Sequence, residues 1–256
     1  MNNNDFIRFD KMFDTPYMEQ NKKKMSIKPI KIKKTLPWVD KYRPKKISEI
    51  IHQDEVIRML KKTLKTGDLP HLLFHGPSGT GKTSTILAIC RELFGPERFK
   101  DRVIELNASD ERGINIVRKK IIQFAKMAIS NTDPKYPSPP YKIIILDEAD
   151  AMTTEAQSAL RKTMEDNSNI TRFCFICNYI NQIISPISSR CAKFRFRPLS
   201  EESMKKKLMY ISNKEKIHVS QNIFDKLIDI SHGDMRKSIM MLQNLKYIYK
   251  YKNKID

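Results

Sequence analysis

The sequence lacks the two features that would place it in or across a membrane. No stretch of about 18 uninterrupted apolar residues occurs, so no membrane-spanning helix is predicted. Residues 1–34 are polar and rich in lysine, and they contain no apolar core of a secretion signal. Cysteine is also scarce, with four residues in 256. Together these absences favour a reducing compartment inside the cell and no membrane partner.

The second cysteine pair of a structural zinc site is absent as well. Cys174 and Cys177 have the spacing of metal ligands, but residues 172–177 have the pattern of a buried strand. Residues three apart on a strand point to opposite faces, so the two thiols are predicted to be core residues. His71 and His75 would lie about 13 Å apart on another strand, too far to share a metal ion directly.

Acidic residues are outnumbered, with 29 Asp and Glu against 48 Lys and Arg, for a net charge of +19. This charge favours a partner of dense negative charge, nucleic acid or an anionic membrane surface, while a merely solvated lysine-rich surface is the open alternative. Residues 1–35 are predicted to be a basic, flexible extension. A targeting or nucleic-acid-binding role and no role at all are both open for it.

Glycine is scarce overall, with seven residues, yet three of them fall within residues 76–83. These residues read GPSGTGKT and fit the phosphate-binding loop pattern GxxxxGK[ST] at every defined position. In such a loop, backbone N–H groups converge on phosphate oxygens, a lysine supplies positive charge and a hydroxyl ligates Mg²⁺. The nucleotide-binding residues are therefore predicted to be Gly76, Pro77, Ser78, Gly79, Thr80, Gly81, Lys82, Thr83 and Ser84.

The flanking residues favour this interpretation over a chance glycine-rich turn. Residues 71–75 form a short apolar run typical of a buried strand, and residues 83–94 have the spacing of a helix with one buried face. A strand, a glycine-rich loop and a helix N-terminus in that order direct the helix dipole at a bound anion.

Two carboxylates follow the most apolar predicted strand, residues 142–146. Open α/β sheets bind ligands at the carboxyl ends of their strands. Asp147 is expected to hold Mg²⁺, and Glu148 to orient and polarise the attacking water of phosphoryl transfer. A solvated acidic turn is the alternative interpretation of these two residues, and the phosphate loop upstream counts against it.

Three further polar residues fit the same site. Asn178 ends the predicted strand 173–177, Arg236 begins a helix near the C-terminus, and Arg190 precedes the last strand. From spacing alone, a surface or structural role is favoured for each.

The order of elements predicts an α/β fold with a parallel sheet, followed by a small all-helical domain. The α/β domain is assigned to residues 36–197 and the helical lid to residues 198–256. Gln157 is predicted to complete a capping box at a helix that Thr154 opens. Strands are predicted at 71–75, 103–107, 142–146, 173–177 and 193–196, and helices at 54–65, 83–94, 114–129, 201–213, 221–230 and 234–249.

Seven segments, spread over roughly residues 36–245, together resemble the small subunits of replication factor C. That protein is the eukaryotic sliding-clamp loader, of the AAA+ class of P-loop NTPases. The segments read PWVDKYRPK (37–45), GPSGTGKTST (76–85), ELNASDERGINIV (105–117), LDEADAM (146–152), TRFCFICNY (171–179), SRC (189–191) and GDMRK (233–237).

The resemblance implies ATP and Mg²⁺ as cofactors and a role for each site residue. Asn178 and Arg236 would be the two sensors of bound nucleotide, and Arg190 an arginine finger inserted into a neighbouring subunit's ATP site. Val39 and Arg43 would contact the nucleotide, and Arg112 and Arg118 are candidates for contacts with duplex phosphates. The implied catalytic set is Lys82, Asp147, Glu148, Asn178, Arg190 (in trans) and Arg236, with Thr83 and Asp147 at the metal.

The implied function is that of an ATP hydrolase in the nucleus, which opens a sliding clamp and loads it on primer–template DNA in replication and repair. Its partners would be other replication factor C subunits, the clamp and DNA. The open alternatives are a non-hydrolysing scaffold subunit that binds clamp or DNA, and another AAA+ remodeller. The chain departs from the family by Ser78 in place of a proline, and by the expected absence of a third, helical collar domain after residue 256.

Overall fold

A computed structural model describes residues 36–50, 53–109, 114–127 and 134–248 of the chain. The predicted extension 1–35 and Arg112 lie outside these residues. The strands are β1 (Leu72–His75), β2 (Val103–Asn107), β3 (Lys142–Asp147), β4 (Thr171–Cys177) and β5 (Ala192–Arg195). The helices are α1 (Trp38–Lys41), α2 (Asp54–Thr66), α3 (Lys82–Arg102), α4 (Ile114–Lys126), α5 (Thr154–Asp166), α6 (Ser185–Ser188), α7 (Glu201–Lys214), α8 (Gln221–Ser231) and α9 (Met235–Ile248).

The five strands form one parallel sheet in the order β2-β3-β4-β1-β5. This confirms the predicted parallel α/β fold. Strands β3 and β4 are buried along almost their whole length, as expected for continuous apolar runs in the middle of such a sheet. The order places the carboxyl ends of β3, β4 and β1 side by side, so the residues that follow these strands meet at one edge.

The two faces of the sheet carry separate apolar cores. One core joins α2 and α3 to the sheet through residues such as Leu60 and Ile86, and the other contains Ile121 of α4 and Leu160 of α5. Cys174 belongs to the first core and Cys177 to the second. The two thiols therefore point to opposite faces, as predicted, and burial raises the pKa of Cys177 to about 12.

A third core holds together α7, α8, α9 and the short N-terminal helix α1. Trp38 of α1 is 5% exposed among the apolar residues of the three C-terminal helices, and its backbone N–H donates to Gln243 Oε1 of α9 at 2.9 Å. The sequence assigned this segment to the α/β domain. The structure instead packs Trp38 of this segment in the apolar core of the lid.

The chain passes from the lid core to the core of the α/β domain within nine residues. Ile47 is 2% exposed in the core beside α3, and its N–H donates to Glu92 Oε1 at 2.7 Å. Between Trp38 and Ile47 lies Arg43, whose Nε donates to Ser84 Oγ at 3.2 Å. Residues 43–46 therefore connect a segment held by the lid to a segment held by the sheet.

Glu215 accepts three hydrogen bonds, two from the α1 segment and one from α9 of the lid. Its carboxylate accepts from Lys41 Nζ at 2.5 Å, from the Tyr42 hydroxyl at 2.7 Å and from Lys246 Nζ at 2.9 Å. Burial alone would raise the pKa of Glu215, but the hydrogen bonds from Lys41, Lys246 and Tyr42 outweigh it and lower the pKa to about 2.

Two helix boundaries differ from the sequence pattern. Helix α3 is interrupted at Gly95, whose φ of 68° and ψ of 172° are not helical, and it resumes to Arg102. The capping box predicted for α5 is wrong. Thr153 is the N-cap, and its Oγ1 accepts from Ala156 N at 3.3 Å. Gln157 turns instead to the chain before α6, where it accepts from Ile184 N at 2.8 Å and donates to Gln182 O at 2.8 Å.

Across the parts of the chain that the structure describes, no helix is both long and apolar enough to cross a bilayer.

Replacing Glu215 by Gln should lower the free energy of unfolding by about 2 kcal/mol, because it removes the charge from hydrogen bonds at a carboxylate that is 9% exposed. A carboxyl group whose folded pKa lies below its ordinary 4.5 stabilises the fold above that pH, and the contribution is lost as the pH falls through about 2. Urea unfolding should therefore show a constant difference between variant and wild type down to about pH 4.5 and a shrinking one below it.

The matched control is Glu202→Gln, whose partner Lys206 is an exposed residue one turn along α7. This change should alter stability by no more than about 0.5 kcal/mol. Equal effects of the two substitutions, or a difference that grows on acidification, would contradict the assigned role of Glu215.

Candidate nucleotide-binding site

The predicted phosphate loop connects β1 to the N-terminus of α3 and adopts a backbone that requires glycine. Gly76, Gly79 and Gly81 have φ values of 140°, 68° and 95°. Thr80 Oγ1 donates to Pro77 O at 2.9 Å and braces the bend from inside. Because α3 begins at Lys82, its unpaired N–H groups and the positive end of its dipole face the mouth of the loop.

Lys82 is 8% exposed, and its ammonium group donates to three oxygens. The acceptors are Gly76 O at 2.6 Å, Pro77 O at 2.8 Å and Asn178 Oδ1 at 2.9 Å. Burial lowers the pKa of Lys82 below its ordinary 10.5, while the charge of Asp147 opposes that shift. Three acceptors satisfy all three donors of the cation, which is thereby held at the mouth of the loop.

Thr83 and Asp147 supply adjacent oxygens of the kind that Mg²⁺ prefers. Thr83 Oγ1 donates to Asp147 Oδ2 at 2.7 Å, and Asp147 Oδ1 accepts from Glu148 N at 2.9 Å. The described residues contain no group of three His, Cys, Asp or Glu side chains arranged for a metal ion. A metal at this hydroxyl and carboxylate would therefore complete its shell with phosphate oxygens and water, as Mg²⁺ commonly does.

Glu148 and Asn178 stand at the ends of neighbouring strands. Glu148 is exposed, with a φ of 54°, a backbone conformation unusual for a residue with a side chain. The backbone of Asn178 is held by Asp150, whose Oδ2 accepts from Asn178 N at 2.9 Å and from Tyr179 N at 3.1 Å. Asp150 is a positioning residue that sequence reasoning missed, although it lies three residues after Asp147 in the same motif.

These groups open into a cleft of about 480 Å³ between the α/β domain and the lid. Its lining combines the phosphate loop with an apolar wall, the side chains of Val39, Ile50, Leu199, Met235 and Ile239. A lining that joins a phosphate-binding loop to an apolar wall suits a nucleotide, which has a charged phosphate chain and a flat base.

The cleft brings together most of the predicted site residues. Gly76 and Pro77 are loop residues that do not line the cleft. Their carbonyl oxygens accept hydrogen bonds from Lys82 Nζ. Lys207 of α7 also lines the cleft, although sequence reasoning missed it. Burial lowers the pKa of its side chain. The predicted residues that line the cleft are Val39, Arg43, Ser78, Gly79, Thr80, Gly81, Lys82, Thr83, Ser84, Asp147, Glu148, Asn178 and Arg236.

Comparison with protein families agrees with this geometry. The ATPase family associated with various cellular activities (AAA) matches residues 72–199, half of the chain. The chain belongs to the AAA family of ATPases. An AAA+ lid domain of the RCF1/5-like type matches residues 206–246, and the Rad17 P-loop domain matches residues 30–112. Membership of a P-loop ATPase family implies nucleotide binding.

Several AAA relatives are replication factor C subunits. Subunit 4 of Homo sapiens is 56% identical over 213 residues, which cover 82% of this chain and 58% of that protein. Subunit 2 of rice is 57% identical over 209 residues, 81% of this chain and 62% of that protein. The small subunit of Archaeoglobus fulgidus is 52% identical over 206 residues, 80% and 62% of the two chains. The predicted resemblance is confirmed, and the chain spans about three fifths of the length of these relatives.

Solved structures support the AAA+ fold. The Thermotoga maritima RuvB Holliday junction branch migration motor matches with a TM-score of 0.63 at 17% identity, over 84% of this chain and 69% of that one. At such low identity the likeness concerns the fold alone, and it confirms the predicted α/β domain with a helical lid.

Arg190 lies outside the cleft of its own AAA chain. Its side chain is 42% exposed; Nη2 contacts Glu165 Oε1 at 2.6 Å and Nη1 donates to Pro186 O at 2.7 Å. The loop that carries it follows α6, which Gln157 holds in place. Arg118 lies in α4, and Arg112 lies outside the described residues. The predicted DNA contacts of both arginines stay predictions.

Lys82→Ala should weaken ATP binding by roughly a hundredfold, because it removes a buried, charge-assisted hydrogen-bond donor worth up to about 3 kcal/mol. Equilibrium titration with a fluorescent ATP analogue measures the effect. Lys65→Ala, at an exposed lysine in the last turn of α2, is the control and should bind as the wild type does. Tight binding by the Lys82 variant would show that the nucleotide occupies some other surface.

Proposed function

We propose that this chain is an ATP-hydrolysing subunit of a clamp loader, which opens a sliding clamp and places it on primer–template DNA in the nucleus during replication and repair. The convergence of Lys82, Thr83, Asp147 and Asn178 at one edge of the sheet carries the proposal. The replication factor C relatives supply the choice of clamp loading among the many activities of AAA proteins.

In this proposal, the phosphate loop binds the triphosphate of ATP and Lys82 exchanges one of its present acceptors for a phosphate oxygen. Thr83 and Asp147 would hold Mg²⁺, which neutralises charge on the phosphates. Glu148 orients and polarises the attacking water. Phosphoryl transfer depends mainly on positioning and charge neutralisation, and this site supplies both through side chains that are already restrained.

The positions of Asn178 and Arg236 support the two sensor roles that the resemblance implies. Asn178 Oδ1 already accepts from Lys82, so its amide lies within reach of groups that bind at the end of the phosphate chain. Arg236 lines the cleft from the lid side, at the second position of α9. It would link the presence of a phosphate to the position of the lid. Val39 and Arg43 would contact the nucleotide beside the first turn of α3.

Arg190 would complete the site of a neighbouring subunit. Its exposed guanidinium does not line its own cleft, and its pairing with Glu165 holds it at the surface. The replication factor C relatives support other subunits of that complex as the partners, with the clamp and DNA bound by the assembly. Arg112 and Arg118 are proposed to contact duplex phosphates, consistent with the net charge of +19.

The decisive experiment measures ATP hydrolysis by the chain alone, with partner subunits, and with partner subunits plus clamp and primed DNA. Clamp loading predicts at least severalfold stimulation by clamp and DNA together. Clamp capture without any stimulated hydrolysis by this subunit would favour the scaffold alternative. Hydrolysis that is indifferent to clamp and DNA would favour another AAA+ remodeller.

Arg190→Ala should leave ATP binding by this chain unchanged and lower hydrolysis in the neighbouring site by at least about tenfold, because an arginine finger stabilises transition-state charge. Mixed assemblies in which only one subunit is changed give the measurement. Arg161→Ala is a suitable control, since Arg161 Nε also approaches Glu165 Oε1, at 3.6 Å. A loss of ATP binding by the changed chain itself would refute the trans role.

A further inference from the structure

One hydrogen bond joins the phosphate loop directly to the lid. Ser78 Oγ donates to Asp234 Oδ2 at 2.9 Å, between residues 156 positions apart in the chain. The donor is a side chain of the loop that binds phosphate, and the acceptor precedes α9 of the lid. From the sequence alone, Ser78 is a predicted nucleotide-binding residue and Asp234 is part of the segment GDMRK; nothing there predicts contact between the two.

Asp234 also determines how α9 begins. Its second carboxylate oxygen, Oδ1, accepts from Lys237 N at 3.1 Å, the pattern of an N-cap aspartate. The same side chain therefore has one oxygen on the first turn of α9 and the other on the phosphate loop. A displacement of the loop is transmitted through one carboxylate to the helix.

The start of α9 also approaches the phosphate loop closely at Gly79. A Cβ atom at Gly79 would lie 1.9 Å from Asp234 Oδ1 and 2.9 Å from the Asp234 α-carbon, distances that no real Cβ tolerates. Glycine at position 79 thus serves two purposes. It permits the φ of 68° that the loop needs, and it leaves room for the lid to approach the loop.

The residues that follow Asp234 are those that close the cleft. Arg236 lies two positions further along the chain, and Met235 and Ile239 of the same helix form part of the apolar wall. Because Asp234 caps this helix, holding Asp234 on Ser78 also holds these three side chains at the cleft.

We propose that Ser78 and Asp234 are positioning residues whose hydrogen bond latches the lid onto the phosphate loop, keeps Arg236 at the cleft and slows nucleotide release. The latch rests on the proposed function only in requiring that the cleft bind a nucleotide. It acts through Arg236 and the apolar wall of α9. Ser78 is also a predicted nucleotide-binding residue, whereas Asp234 has no other assigned role at the site.

The test is the release rate of a fluorescent ADP analogue, measured by stopped flow. Ser78→Ala removes the hydroxyl and leaves the N-cap intact, so release should become about threefold to tenfold faster, as expected for loss of one solvent-exposed hydrogen bond of ordinary strength. Ser78→Thr keeps a hydroxyl and should release within about twofold of the wild-type rate. Ser158→Ala, an exposed serine on α5, is the control and should leave the rate unchanged.

A second measurement needs no nucleotide. Hydrogen exchange of the free protein should become faster in the first turn of α9 and in the phosphate loop of Ser78→Ala, with α7 and α8 unchanged. Asp234→Asn retains a capping oxygen but weakens the hydrogen bond to Ser78. The double variant with Ser78→Ala should change the free energy of local opening by less than the sum of the two separate changes.

The outcomes separate the latch from the proposed function. Wild-type protein that fails to bind the analogue would count against the proposed function, and hydrogen exchange then decides the latch alone. Release and exchange at wild-type rates in Ser78→Ala would overturn the latch. So would equal acceleration by Ser78→Thr, or faster exchange spread evenly over the whole lid.

Discussion

The buried cation of Lys82 is the interaction on which the architecture of the site depends. An ammonium group that is 8% exposed must have its donors satisfied, and the structure meets this requirement with two loop carbonyls and Asn178 Oδ1. The carbonyls come from the residues after β1 and the amide from the residue after β4. The bond geometry therefore requires these two strands to be neighbours, and the sheet order makes them so. Asp147 then follows at the end of the next strand, where it bonds Thr83.

The parts of the fold that the sequence predicts well are those whose physical requirement is local. Strands β3 and β4 need apolar side chains on both faces, which leaves an unmistakable run of residues, and the phosphate loop needs glycine where φ is positive. Helix ends were less predictable because competing partners decide them. Gln157 has capping-box spacing from Thr154, yet the N-cap is Thr153, and Gln157 bonds the backbone of Met152, Gln182 and Ile184 instead. Lys142 begins an otherwise apolar strand and is 1% exposed, since its ammonium donates to the carbonyls of Phe124 and Met127 around the end of α4.

Contacts between residues that are far apart in the chain leave no periodic pattern in the sequence. Trp38 bonds a residue 205 positions away, and Ser78 one 156 positions away. Each member of these pairs has an ordinary local explanation, as an aromatic residue in an extended segment or a polar residue in a loop. Most of the predicted site residues line one cleft, and their roles stay predictions, while the way in which the lid contacts them is seen only in the structure. We propose to count residues 37–42 with the lid, and to keep the boundary between the two domains near Pro198.

Two contacts of the lid, one within the lid and one to the phosphate loop, stand beside residues that line the cleft. Glu215 holds α1, next to Val39 and Arg43, and Ser78 holds Asp234, next to Arg236. The apolar wall contributed by α1 and α9 consequently belongs to one body, whereas the phosphate loop belongs to the sheet. A nucleotide that places its base on that wall and its phosphates on the loop would bridge the two bodies. Its binding energy would then depend on the angle between them, because either body moving alone would lose contacts at one end of the ligand.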